Sequence, residues 1–238
     1  MYGDSLMVQT ADYFGFFLGL HNYVMQDHFA GGAAACDYLN DMRTSPLPDI
    51  AVISFSGNML TPCTQNRGTQ ADVYTADYSE MAQFFIQHGV PVKFMSAPTP
   101  VGLTEADNLV ARVEATVAST FHVGYYNAAD VLTDENHVYR FYVACNQLEI
   151  TAGDCFLGIV VIRADDMRHL RPTGARRWAL RMVDATISPF FEYQDVGIGP
   201  DLSGPGAAIS VNGADDAGPP GPTYPHGGGH RGQVGANS

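Results

Sequence analysis

Three short fragments hold side chains whose types and order could perform acyl-transfer chemistry: Gly3-Asp4-Ser5-Leu6, Ser56-Gly57-Asn58 and Asp166-Met167-Arg168-His169. A serine hydroxyl is inert at neutral pH unless a neighbouring base removes its proton. The imidazole that does so works best with a carboxylate on its other ring nitrogen, and the tetrahedral oxyanion needs donors aimed at it. The three fragments supply a serine, a side-chain amide and an Asp-x-x-His pair. Each alone is common: Asp-Ser is an ordinary helix N-cap, and Gly-Asn after a strand is an ordinary turn. All three in this order, each after an apolar run, are much rarer.

Together the fragments resemble the SGNH hydrolases, also called GDSL-type esterases and lipases, over roughly the first four-fifths of the chain. The resemblance implies that Ser5 is the nucleophile, His169 the base and Asp166 the acid that orients it. It also implies an oxyanion hole made from the Asn58 amide, the Ser5 N–H and a glycine N–H. The glycine falls in Gly31-Gly32-Ala33-Ala34-Ala35-Cys36-Asp37, with Gly32 preferred and Gly31 the alternative. The stretch from Arg163 through Gly174 is similar to the end of actinobacterial-type secreted members. The implied activity is hydrolysis of carboxylic esters: short-chain acyl esters, acetylated glycans or lipids. Acyl transfer to a sugar or polyol, or a non-catalytic cell-surface module that keeps the fold, are the alternatives. Asp134-Glu135-Asn136-His137 also fits Asp-x-x-His, but it precedes an aromatic apolar stretch, whereas His169 lies between a buried strand and a helix opened by Pro172. Asp165 could stand in for Asp166 if the loop is shifted by one residue.

The chain has 238 residues, enough for one sizeable core that folds without a metal. Its net charge of −13 argues against nucleic acid as a partner, because phosphates call for Lys and Arg. Lys93 is the lone lysine, which reads as codon bias or chance. No apolar run reaches the length of a membrane span, so no integral membrane segment is expected. Cys36, Cys63, Cys145 and Cys155 lack the Cys-x-x-Cys spacing of metal sites. Two disulfides, Cys36–Cys63 and Cys145–Cys155, are the preferred of three connectivities, with four buried thiols as the alternative. Disulfides would imply an oxidising, extracytoplasmic or secreted setting. His226 and His230 flank three glycines in a segment with no preceding strand, so neither a metal nor a cofactor is expected.

The elements that must position these residues read as alternating strands and helices. Strands are expected at Asp49–Phe55, Val90–Ala97, His122–Tyr126 and Leu157–Ile162, while Tyr139–Val143 is ambiguous. Helices are expected over Gln70–His88, ended by Gly89, and from a Thr104/Asp107 capping box to about Ser119, burying Leu109, Val113 and Val117. A last helix opens at Pro172 and buries Ala175, Trp178 and Met182. The pattern predicts an α/β fold: a three-layer α/β/α domain over 1–191 on a parallel, flavodoxin-like sheet. Ligands of such sheets bind beyond the carboxyl ends of the strands, where Ser5, Asn58 and His169 would meet. Only Met1 and Tyr2 precede Gly3, so the first strand reads as truncated, and a full strand with an export signal is expected upstream. Residues 192–238, rich in Gly, Pro, Ala and Asp, read as a disordered tail.

Overall fold

The computed structural model describes residues 1–188, and the expected tail, with His226 and His230, lies outside the described residues. Five short strands form the central sheet: β1 (Tyr2–Gly3), β2 (His28–Phe29), β3 (Ala51–Ser54), β4 (Val92–Met95) and β5 (Gly124–Tyr126). All pairings are parallel and the order is β2-β1-β3-β4-β5, the flavodoxin-like winding. β1 has only two residues yet pairs on both sides, Tyr2 with His28 and Ile53, Gly3 with Phe29 and Ser54.

Side chains alternate across a strand, and here the alternation sorts two cores. Met7, Val52, Met95, Tyr126 and Trp178 pack on one face, under α1 (Ser5–Gly19) and α6 (Pro172–Ile187). Tyr2, Ile53, Phe94 and Tyr125 pack on the other, under α3 (Gln70–Gln87) and α4 (Leu109–Phe121), where Tyr74, Tyr78, Met81 and Phe85 form the helical stripe. The result is the expected three layers. α2 (Leu39–Thr44) and α5 (Gln147–Ala152) are single short helices in the connections. Lys93 is more than a compositional accident. Its Nζ donates to the carbonyls of Ala185, Thr186 and Ser188 at 2.7, 3.1 and 3.2 Å, satisfying the orphan C-terminal carbonyls of α6.

Two expectations need correction. The Thr104/Asp107 box exists, but it opens a single 3₁₀ turn at Glu105–Asp107, not the helix. α4 begins at Leu109 because Asn108 caps it, accepting the Ala111 N–H at 3.0 Å, and Val110 is buried in place of Leu109. The second correction concerns Leu157–Ile162. It yields β7 (Ile159–Val161), which is not part of the main sheet and is buried on one face only. It pairs antiparallel with β6 (Tyr142–Ala144) in a separate two-stranded ribbon.

Both preferred disulfides are formed, Cys36–Cys63 and Cys145–Cys155, and no free cysteine occurs among the described residues. No helix among the described residues is long and apolar enough to cross a membrane. Of the aromatic residues near the start, Phe14 is buried and Tyr13 and Phe17 pack against the core, while Phe16 and Tyr23 stay exposed.

Candidate active site

Ser5 sits where β1 turns directly into α1, at the rim formed by the carboxyl ends of the strands. That turn needs a glycine before it: a Cβ on Gly3 would lie 2.2 Å from Met7 Cγ and 2.9 Å from the Ser54 carbonyl oxygen. Asp4 is the N-cap of α1 and is 1% exposed. One of its carboxylate oxygens accepts the Leu6 N–H at 3.1 Å, and the other accepts both the N–H and the hydroxyl of Ser56 at 2.6 Å. Burial pushes the Asp4 carboxyl above its ordinary range, against the pull of these bonds and of His169. Asp4 thereby fastens the serine turn to the loop that leaves β3.

That loop carries Asn58. Its side-chain oxygen accepts the Leu60 N–H at 3.1 Å, and its backbone carbonyl accepts the Tyr74 hydroxyl at 3.0 Å. With the oxygen spent on Leu60, the NH₂ end faces the cavity wall opposite: a Cβ on Gly32 would lie 3.6 Å from Asn58 Nδ2. Gly57, at φ +101, allows the turn, and a Cβ there would lie 2.6 Å from both Gln70 and Val110. Gly32 has φ +77 and lines the same cavity as Ser5 and Asn58, whereas Gly31 does not line it. The Cys36–Cys63 disulfide joins the segment just after Gly32 to the segment just after Asn58. The two loops facing the serine are thus covalently tied.

His169 arrives from the other side, on a loop between β7 and α6, not from a strand of the main sheet as expected. Its Nε2 lies 3.2 Å from Ser5 Oγ, and its Nδ1 is hydrogen-bonded to the Asp166 carboxylate. Asp166 also accepts the backbone N–H groups of Arg168 and His169 at 3.0 and 2.9 Å. The His169 ring and these N–H donors hold the Asp166 carboxyl far below the usual carboxylate range. The loop is closed by Ala164 N–H to His169 C=O at 2.8 Å, and Gln9 of α1 accepts the Leu170 N–H at 2.9 Å. Asp165 points elsewhere, to Arg171 at 3.1 Å, so it does not replace Asp166.

Arg163 anchors this loop and was not foreseen. Its side chain is fully buried, donating to the carbonyl of Arg168 at 2.6 Å and to that of Thr99 at 2.7 Å. Its guanidinium lies over the Tyr139 ring, 5.6 Å from the centroid, and Tyr139 in turn donates to Glu105 at 2.7 Å. Burial lowers its pKa to about 10, which leaves it cationic at neutral pH. Thr99 is part of the cavity wall, so one guanidinium couples the histidine loop to that wall. Asp4 was legible only as a motif letter and Arg163 only as the first residue of the 163–174 stretch; neither pattern announced an anchor.

The rival pair, Asp134 and His137, does not line the cavity that Ser5 faces. Asp134 accepts the N–H groups of Asn136 and Val138 and pairs with Arg140, while His137 is exposed in a left-handed turn conformation, φ +57.

Ser5, Gly32, Asn58 and His169 line one open cavity of about 570 Å³, bounded also by Met59, Leu60 and the Pro98–Pro100 segment. A scan against protein-family models finds no match, and a search of curated proteins finds none either. Solved structures do match. A GDSL-like lipase from Bacteroides thetaiotaomicron superposes with a TM-score of 0.53 at 16% identity, covering 78% of this chain and 85% of its own. A provisionally assigned acylhydrolase from Bacteroides fragilis gives 0.52 at 14%, covering 78% and 84%. A protein provisionally assigned as lipolytic, of the G-D-S-L family, from Desulfitobacterium hafniense gives 0.53 at 13%, covering 76% and 95%. With its sheet order and layers, this chain has the fold of the SGNH, or GDSL-like, hydrolases.

Proposed function

We propose that the chain is a serine esterase in which Ser5, His169 and Asp166 act as a triad. The carrying observation is the unbroken line from Ser5 Oγ to His169 Nε2, 3.2 Å, and from His169 Nδ1 to the Asp166 carboxylate, on the wall of an open cavity. The SGNH fold supports the same reading.

In this scheme neutral His169 takes the proton from Ser5 as the oxygen attacks an ester carbonyl. Asp166, ionised across the physiological range, keeps Nδ1 protonated and stabilises the imidazolium. The oxyanion is met by Asn58 Nδ2–H, by the Gly32 N–H and by the Ser5 N–H, which opens α1 and so adds the positive end of a helix dipole. His169 returns its proton to the leaving alcohol, and the acyl-enzyme is then opened by water along the reverse path. The Cys36–Cys63 bridge holds two of the three donors in register. The chemistry needs no metal or cofactor, and both disulfides fit an extracytoplasmic setting. The substrates are small-molecule, glycan or lipid esters that enter an open, mixed-polarity cleft.

The test is hydrolysis of a p-nitrophenyl ester series by wild type and Ser5→Ala. Wild type is expected to release p-nitrophenol with acyl-enzyme kinetics, and Ser5→Ala to lose on the order of a million-fold in kcat. Equal rates in the two proteins would sink the reading.

A further inference from the structure

The cavity contains one charge that the esterase scheme does not use. Arg168 lines it, immediately before the proposed base, and its side chain is exposed. In a chain with 25 acidic and 12 basic residues, an arginine without a carboxylate or carbonyl partner is unusual. Every other arginine among the described residues has one. Arg43 pairs with Glu80, Arg67 with Asp77, Arg140 with Asp134, Arg171 with Asp165, Arg176 with Asp154, Arg177 with Glu149 and Arg181 with Asp130. Arg112 and Arg163 donate to carbonyls. The Arg168 guanidinium does neither. Its backbone, in contrast, is fixed at both ends, the N–H on Asp166 and the carbonyl under Arg163. A rigidly mounted stem thus presents an uncommitted cation at the cavity. Among the described residues of the lining the one acidic side chain, Asp4, is buried and consumed by Ser56 and Leu6, so none of them neutralises the guanidinium.

We infer that Arg168 selects esters whose alcohol portion carries an anion, a carboxylate or a phosphate. The inference rests on the serine-esterase reading. The anion is assigned to the alcohol portion because His169 Nε2 must reach the leaving oxygen, which puts that half of the substrate against the 166–169 loop. A guanidinium fork matches the planar or tetrahedral oxygens of such groups and holds them by charge-assisted hydrogen bonds.

Matched pairs test this with the full chain. The carboxylate arm compares the butyrate esters of glycolic acid and glycolamide; the phosphate arm compares 2-(butyryloxy)ethyl phosphate with 2-(butyryloxy)ethanol. The acyl-side control compares ethyl hemisuccinate with ethyl succinamate. The readout is the anionic-to-neutral ratio of kcat/KM within each pair. Wild type should favour the anion in at least one alcohol-side arm by about ten-fold, the scale of one charge-assisted contact at a partly exposed site. That ratio should fall about ten-fold in Arg168→Gln and drop below one in Arg168→Glu, with Arg168→Lys between, and 0.5 M NaCl should weaken it. A ratio that is the same in wild type, Arg168→Gln and Arg168→Glu overturns the inference, as does a preference confined to the hemisuccinate pair. If wild type hydrolyses no ester, the esterase reading fails separately. Calorimetric binding of N-butyrylglycine against N-butyrylglycinamide then decides: about ten-fold tighter binding of the anion that Arg168→Gln abolishes upholds the Arg168 site, and equal binding refutes it.

Discussion

The chain writes Asp-x-x-His twice, at 134–137 and at 166–169, and folds the two segments to different ends. In both, the aspartate accepts backbone N–H groups two and more residues ahead, the ordinary behaviour of an Asx turn. The difference lies in what the second carboxylate oxygen meets. At 134 it is taken by Arg140, and the histidine is left exposed in a left-handed turn. At 166 it holds His169 Nδ1, and the ring is turned onto Ser5. The second loop is also clamped from below by Arg163 and from the side by Gln9. A four-residue pattern supplies an Asp–His pair; the anchors around it decide where the ring points.

Substitutions can break that contrast at several depths. The largest effect is expected from His169→Ala, which should cost on the order of a million-fold in ester kcat, as expected where nucleophile and base act as one unit. Asp166→Asn should follow at about ten-thousand-fold, since an amide permits the wrong ring tautomer. Asp134→Asn, by contrast, should leave kcat within about two-fold and lower stability only slightly, through the solvent-screened Arg140 pair and its turn. Steady-state kinetics alongside urea unfolding separates these outcomes. Arg163→Met asks whether the anchor matters. Losing both carbonyl contacts should let the histidine loop drift, lowering kcat about a hundred-fold while KM changes little. Smallest of all, His137→Ala should change neither kcat beyond two-fold nor stability beyond about 0.5 kcal/mol. If His137→Ala proved as damaging as His169→Ala, the contrast would be wrong.

The elements that were legible in the sequence are those whose signal is local. The Tyr74, Tyr78, Met81, Phe85 stripe with Gly89 beyond it marks α3 because helix period and terminator are both written within one segment. The apolar run at 51–54 marks β3 for the same reason. Ser5, Asn58, Asp166 and His169 could be picked out because each sits in a short pattern next to such an element, and the preferred cysteine pairs were the ones close in sequence. What was hidden depends on contacts between distant segments. Thr104 and Asn108 are both competent caps, and the choice between them is made by packing: Asn108 is buried and also donates to the Ala97 carbonyl at 3.1 Å. The 157–162 run is apolar enough for a central strand, but its partner is β6, and Ile159 and Val161 remain half-exposed. Arg163, Lys93 and the Asp4–Ser56 tie reach partners 64, 92 and 52 residues away, and nothing in their immediate neighbours announces it.

Activation of Ser5 by His169 can be read from labelling with a fluorophosphonate, which forms a covalent bond to an activated serine, followed by peptide mass spectrometry. A single modified residue, Ser5, is expected, with labelling slowed by several orders of magnitude in His169→Ala and undiminished in His137→Ala. Modification of another serine, or labelling of Ser5 at the same rate without His169, would contradict it.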